Sequence, residues 1–298
     1  MVSREVICFA LAACLTLIAT SVTLRVVLQR KDNPVTRNPR PAYHKRSDDR
    51  VASMCKYVEN ISLPPVFILC KHSRQEIVSF AENVAQAGYT PIIIEDKPKE
   101  SRIPSSIKHM HVPPDVLKTE GYTQLNESAM VFFTCAWCAA IWLARNSDRH
   151  CWFLEEDVFM CDAKSMRQID ASHTDTDLLC ATHSSPPSGW PRRMEWSEYQ
   201  PFPIVYSSMM CACRMSPRLL LTTQIFAQCN GRLYFLEYFF NSLCEHMGFS
   251  VATPSELQTV VFRKEYEQDY IRKNPTFIYH PIKDLSLHTS LRSNTCKF

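Results

Sequence analysis

Three consecutive acidic residues follow an apolar segment in the middle of the chain, and their spacing could hold a divalent cation. Residues 150–154 (His-Cys-Trp-Phe-Leu) are typical of a buried strand, and Glu155, Glu156 and Asp157 come directly after them. Because residues at i and i+2 of an extended segment point to the same side, we expect Glu155 and Asp157 to face one cation and Glu156 to face away. Carboxylates combined with a ligand's phosphates are the usual setting for Mg²⁺ or Mn²⁺. A solvated acidic turn is the alternative.

A second acidic pair ends the β-α-β pattern that opens the folded part of the chain. Residues 66–70 are a continuous apolar run, which predicts a buried strand, and a Ser-x-x-Glu capping box at Ser73 predicts the start of a helix. Residues 91–94 predict the next strand, which ends in Glu95 and Asp96. Since ligands gather at the carboxyl ends of parallel strands, Glu95 and Asp96 are candidate cofactor-binding residues.

The segment 152–159 (Trp-Phe-Leu-Glu-Glu-Asp-Val-Phe) resembles the strand and acidic motif of glycosyltransferases of the GT-A fold. In that family an Asp-x-Asp motif, or a variant containing Glu, holds Mn²⁺ against the diphosphate of a nucleotide sugar. The resemblance implies that Asp157 ligates the metal directly and that Glu155 assists through the metal or the ribose. It also implies Mn²⁺ (or Mg²⁺) as the cofactor and a nucleotide-diphosphate sugar as the donor substrate.

Predicted strands alternate with predicted helices along the chain, which favours an α/β fold with helices on both faces of one sheet. The resemblance makes this a GT-A-like, Rossmann-like nucleotide-binding sheet in a single domain. It implies a glycosyltransferase that moves a sugar from a nucleotide-diphosphate donor to a hydroxyl of a glycan or glycoprotein acceptor. Two alternatives stay open: a non-catalytic lumenal glycan-binding protein of the same fold, and a metal-dependent hydrolase.

Two candidates follow the last predicted strand. Several GT-A enzymes place there a histidine that completes the metal shell and a basic group near the diphosphate, which implies His280 as a metal ligand and Lys283 as a cofactor-binding residue. A late histidine can equally be a surface residue or a satisfied core residue. Arg214 and Arg232 could also bind phosphate, although solvent exposure would explain both.

A general base for an inverting transfer would be a carboxylate that faces the acceptor hydroxyl. Glu237 is the favoured candidate for this catalytic role, because it is a charged residue within an otherwise apolar predicted helix. Glu245 and Asp162 are rival candidates, and an ordinary position on the polar face of the helix is the alternative for Glu237.

The N-terminal region predicts membrane attachment. Residues 6–24 carry no charge and are long enough to cross a bilayer, so we interpret them as a transmembrane signal anchor, with a cleaved signal peptide as the alternative. Residues 1–5 would be a short cytoplasmic tail and residues 25–52 a basic, proline-containing stem. The catalytic domain, 53–298, would then be lumenal, in a single-pass type II protein of the Golgi or ER membrane. Flanking charges lean toward the opposite orientation.

Cysteines and glycosylation signals favour the lumenal orientation. Twelve of the 14 cysteines lie beyond the membrane segment, and sequons begin at Asn60 and Asn126. In an oxidising compartment, disulfides or buried thiols are preferred over a zinc site built from the Cys-x-x-Cys at 135–138 and the Cys-x-Cys at 211–213. The apolar stretch 129–144 is short for a second membrane span and predicts a buried core helix.

The distribution of charge excludes one class of partner. The formal net charge of +3 comes from residues 25–50, which hold eight Lys/Arg and three Asp, and the remainder of the chain is slightly acidic. A nucleic-acid binder carries its positive charge on the folded part. We therefore expect no nucleic-acid partner.

Overall fold

The computed structural model describes residues 53, 55–59, 61–97, 103–125, 134–185 and 201–294. These residues belong to one compact unit, Asp48–Phe298. Its strands are β1 Pro65–Cys70, β2 Thr90–Glu95, β3 Lys108–Met110, β4 Cys151–Glu155, β5 Phe159–Met160, β6 Leu178–Leu179, β7 Ala212–Met215, β8 Val251–Ala252 and β9 Ile278–Tyr279. Its helices are α1 Gln75–Gln86, α2 Pro114–Thr119, α3 Thr134–Ala144, α4 Lys164–Ser172, α5 Pro217–Asn230, α6 Leu236–Met247, α7 Gln268–Lys273 and α8 Leu285–Asn294, with a 3-10 turn at Ser255–Leu257.

Seven strands form the central sheet, in the order β3-β2-β1-β4-β7-β6-β8. Strand β7 runs antiparallel to its neighbours β4 and β6, and the other pairs are parallel. Strands β5 and β9 form a separate antiparallel pair. The chain builds outward from β1 to β2 and β3 and then returns to place β4 on the other side of β1. The carboxyl ends of β1 and β4 therefore form a topological switch point, where α/β sheets bind ligands.

Helices cover both faces of this sheet, so the predicted α/β architecture is confirmed and is compatible with a Rossmann-like fold. Along β1, Phe67 and Leu69 pack in the core cluster that contains α3, α5 and α6. Val66 and Ile68 pack in the cluster that contains α1 and α4. Every β1 side chain is therefore buried, which explains why the strand is a continuous apolar run rather than an alternating one.

The capping box predicted at Ser73 was wrong. Helix α1 has Arg74 at its N-cap position and no side-chain cap hydrogen bond. The backbone N–H of Ser73 instead donates to Glu95 Oε1 at 2.8 Å. Glu95, at the end of the neighbouring β2, therefore holds the residue before the N-cap, a contact that the local sequence does not reveal.

Helix α3 is the buried core helix predicted from the apolar stretch. All its residues from Ala136 to Ala144 are buried, and the ring of Trp137 stacks on Phe153 of β4 with centroids 5.5 Å apart. Among the described residues, no helix is both long enough and apolar enough to span a bilayer. The predicted anchor at 6–24, the stem at 25–52 and the sequon residues Asn60 and Asn126 lie outside the described residues.

Candidate functional site

A cavity of about 710 Å³ opens at the switch point between β1 and β4. The acidic triplet lies in its lining, because the register that pairs Leu69 of β1 with Glu155 of β4 brings the end of β4 to the end of β1. His280, Glu237 and Lys283 line the same cavity. Residues from distant parts of the sequence thus meet at one edge of the sheet.

The three acids of the triplet have different partners. Glu155 Oε1 accepts a hydrogen bond from Trp137 Nε1 at 3.0 Å. Burial, and then the negative charge of Asp157, raise the pKa of Glu155 above its ordinary value. Glu156 Oε2 instead accepts from the backbone N–H of Lys71, just beyond β1, at 3.1 Å. Glu155 and Glu156 therefore project toward different neighbours, as expected for successive residues of an extended segment.

His280 follows β9 and is buried, with 6% of its surface exposed. Its Nδ1 lies 2.9 Å from the carbonyl oxygen of Val261, which can only accept, so Nδ1 carries the proton. Its Nε2 lies 3.3 Å from Asp157 Oδ1, a buried atom without a well-aligned hydrogen bond. Burial lowers the pKa of His280, but the adjacent carboxylate of Asp157 outweighs it and the pKa is raised. His280 is therefore not the surface residue that the sequence left open.

One group among the described residues has the geometry of a metal site. Glu155, Cys211 and His280 each offer a ligand atom, and these atoms lie within 4.8 Å of one another. Cys211 comes directly before β7, and its carbonyl oxygen accepts from the backbone N–H of Glu155 at 2.8 Å. Burial, and then the charge of Glu155, raise the pKa of the Cys211 thiol well above its ordinary value.

The cysteines do not assemble into the alternative four-thiolate site. Of the four cysteines in the two short motifs, Cys211 alone belongs to the metal-site group found in the described part of the chain. Cys161 is disulfide-bonded. The free thiols among the described residues are Cys55, Cys70, Cys135, Cys138, Cys151, Cys180, Cys211, Cys213, Cys229 and Cys244.

Glu237 lies in the first turn of α6 and faces the cavity, with only 8% of its surface exposed. Its Oε2 atom is buried without a hydrogen-bond partner. Burial, and then the charge of Glu155, raise the pKa of Glu237 to about 9, so the side chain keeps its proton at neutral pH. The rival candidates do not line the cavity: Glu245 Oε2 lies 3.5 Å from His183 Nε2, and Asp162 accepts from the backbone of Lys164 at the start of α4.

Replacing Glu237 with glutamine should stabilise the protein increasingly as the pH rises. An unfolded glutamate has a pKa of about 4.3, so wild-type folding must take up a proton between about pH 4 and pH 9, and stability falls across that range. Glutamine resembles the protonated acid and does not titrate. Without divalent cations, the free energy of urea unfolding of Glu237→Gln should equal that of the wild type at about pH 4 and exceed it by about 4 kcal/mol at pH 7. A difference that is the same at both pH values would contradict the shifted pKa.

Three cations stand in the lining of the cavity: Arg74, Arg263 and Lys283. All three are exposed, which suits the binding of an anionic ligand from solvent. Only Lys283 was singled out from the sequence. Arg74 could have been found from its position shortly after the carboxyl end of a predicted parallel strand, β1. The same kind of position made Glu95, at the end of β2, a candidate. Arg263 lies in a loop, and no local pattern marks it.

The other basic candidates lie elsewhere. Arg214 is 2% exposed and donates to Asp170 Oδ1 at 2.7 Å, so it is a structural residue rather than a phosphate ligand. Arg232 is not in the lining of the cavity, and its guanidinium lies over the ring of Tyr234 at 4.7 Å.

Glu95 and Asp96 also lie outside the cavity lining. Glu95 is buried and accepts from the backbone of Ser73. Asp96 Oδ1 accepts from the backbone N–H groups of Cys135 and Ala136, at 3.0 and 3.3 Å, and so satisfies the first turn of α3. The structure thus gives both carboxylates a partner within the fold at the end of β2.

No protein-family model matches the chain, and no curated protein matches it significantly.

Proposed function

We propose that this protein is a metal-dependent glycosyltransferase of GT-A type, which transfers a sugar from a nucleotide-diphosphate donor to a hydroxyl of a glycan or glycoprotein. The observation that carries the proposal is the meeting of Glu155 and His280 at the switch point of the sheet, with Asp157 beside His280. Acidic and imidazole donors in a cavity edged by cations suit a divalent metal and a diphosphate together.

The donor atoms fit a divalent cation. Glu155 and Asp157 offer oxygen and His280 offers Nε2, and Mn²⁺ accepts both kinds of ligand. The buried Asp157 Oδ1, which lacks a well-aligned hydrogen bond, gains a partner if a cation is present. When bound, the metal would supply positive charge against the departing diphosphate.

The remaining residues of the cavity have separable roles. Arg74, Arg263 and Lys283 would bind the phosphates of the donor. Apolar side chains, among them Met210 and Phe235, exclude water from the adjoining wall. Glu237 would accept the proton of the acceptor hydroxyl. This role requires the pKa of Glu237 to fall. Burial is the first cause of the raised pKa and the charge of Glu155 the second, so a cation bound at Glu155 would lower this pKa by removing the second cause.

A donor screen tests the proposal directly. Purified full-length protein is incubated with Mn²⁺ and individual nucleotide-diphosphate sugars, with and without glycan acceptors, and release of the nucleotide diphosphate is measured. We expect release that depends on both Mn²⁺ and an acceptor. Release with water as the sole acceptor would indicate the metal-dependent hydrolase instead. Glycan binding with no release from any donor would indicate the glycan-binding alternative.

We further propose that the protein is anchored through residues 6–24 as a single-pass type II protein of the Golgi or ER membrane. The expected result is a lumenal C-terminus and a glycan on Asn60 or Asn126. In intact microsomes, a tag on Phe298 should resist protease, and mutating both asparagines to glutamine should remove the glycan mobility shift. A protease-sensitive tag together with unmodified asparagines would contradict this topology.

A further inference from the structure

The thiol of Cys211 is the unusual member of the candidate metal centre. Its sulfur, a carboxylate oxygen of Glu155 and a ring nitrogen of His280 all lie within 4.8 Å of one another. Cys211 is 6% exposed, and the hydrogen bond between its carbonyl and the backbone of Glu155 fixes it opposite the end of β4. The position of the sulfur is therefore set by the pairing of the two chain segments at the ends of β4 and β7.

We propose that Cys211 is a metal ligand that makes this centre selective for thiophilic divalent cations, of the Zn²⁺ and Co²⁺ class, over Mg²⁺. Thiolate sulfur favours Zn²⁺, and imidazole suits Zn²⁺ and other later transition metals, whereas Mg²⁺ is held by oxygen. Thiolate, imidazole and carboxylate are the three kinds of protein ligand that bind Zn²⁺.

The surroundings of His280 support this donor set. Because Nδ1 donates to the carbonyl of Val261, Nε2 is the nitrogen left for a metal, and a backbone carbonyl of this kind is a common outer partner of metal-bound histidine. Asp157 Oδ1 lies 3.3 Å from that Nε2 and can supply the further oxygen. On binding, a bond forms between the metal and the Cys211 sulfur, the S–H bond breaks, and the proton passes to solvent.

This inference refines the metal centre of the proposed function and rests on it for the location of the site, but it does not require sugar transfer. It predicts that Zn²⁺ competes with Mn²⁺ for the centre. An enzyme activated by Mn²⁺ would then be inhibited by added Zn²⁺, because the sulfur ligand holds Zn²⁺ more tightly.

The test is to titrate the purified full-length protein with Mg²⁺, Mn²⁺, Zn²⁺ and Co²⁺ and to record the melting temperature and the near-ultraviolet absorption. Co²⁺ should raise the melting temperature and produce a thiolate-to-Co²⁺ charge-transfer band, which Zn²⁺ should displace. Cys211→Ser should remove the band and reduce the preference for Zn²⁺ over Mg²⁺ by about 10-fold or more.

Cys213→Ser is the matched control. Cys213 is also buried, lies two residues later beside the same strand β4, and does not belong to the donor group, so the band and the preference for Zn²⁺ should persist. If Cys211→Ser does not fold, the test uses Cys211→Ala instead, together with the presence or absence of the thiolate-to-Co²⁺ band in the wild-type spectrum.

Three results would overturn the role of Cys211. These are a Co²⁺-induced rise in melting temperature without the band, a band that persists when Cys211 is replaced, and an unchanged preference for Zn²⁺. The proposed function fails differently. A band that depends on Cys211, with no nucleotide diphosphate released from any donor, would uphold the ligand and reject the glycosyltransferase.

Discussion

Replacing Asp157 with asparagine should abolish the Mn²⁺-dependent rise in melting temperature and reduce sugar transfer by about 100-fold or more. A ligand that binds only the folded state stabilises it, so the rise in melting temperature reports the cation directly. Asparagine keeps the shape of the side chain, and the backbone carbonyl of Asp157 would still accept from the backbone N–H of Ile282. Only the charge beside His280 Nε2 is lost. The variant should therefore fold but fail to bind the metal.

The neighbouring acids provide a graded series. Glu155→Gln should impair metal stabilisation and activity less completely, because the proposed function makes Asp157 the direct metal ligand and Glu155 an assisting one. Glu156→Gln should have the smallest effect, since the side chain of Glu156 is engaged by the backbone of Lys71. Thermal melts with and without Mn²⁺, together with donor turnover, test all three. A folded Asp157→Asn protein that Mn²⁺ still stabilises, and that still transfers sugar, would remove the metal assignment and most of the proposed function.

Replacing Asp170 with alanine should destabilise the fold by about 3–5 kcal/mol without weakening Mn²⁺ binding. Asp170 Oδ1 accepts from Arg214 at 2.7 Å and from Trp152 Nε1 at 3.1 Å, and its Oδ2 accepts from Tyr89 at 2.5 Å. Arg214 is 2% exposed, so removing the carboxylate leaves a buried charge without its counterion. Urea unfolding measures the loss of stability, and melting with Mn²⁺ measures the metal response.

Asp269→Ala is the matched control, because Asp269 also pairs with an arginine, Arg272, at 2.5 Å on a helix. Both side chains of that pair are more than half exposed, so its loss should cost less than about 1 kcal/mol. Equal effects of the two substitutions would show that burial does not strengthen the Asp170 pair. Loss of the Mn²⁺ response in Asp170→Ala would place that pair in the site rather than in the scaffold.

Much of the local architecture can be predicted from patterns within short segments of the chain. Apolar runs predicted β1, β2 and β4, and the apolar stretch before Ala144 predicted the buried helix α3. The alternation of side chains in an extended segment predicted the divergence of Glu155 from Glu156. These features could be predicted because backbone periodicity and burial on both faces leave a pattern within a few residues. The extent of β7 could not be predicted: the sequence of residues 205–215 predicts one long strand, whereas the strand in the structure is Ala212–Met215.

Which side chains come into contact depends on the packing of distant elements. This packing brings Cys211 and His280 close to Glu155. It also places Asp96 where it accepts from the first turn of α3, and it buries Arg214 against Asp170. Nothing in a local segment distinguishes an arginine that meets solvent from one that meets a carboxylate of another element. Those pairings depend on the order of the strands and on the register of β4 with β1 and β7, which arise from packing the whole sheet between its two helical layers.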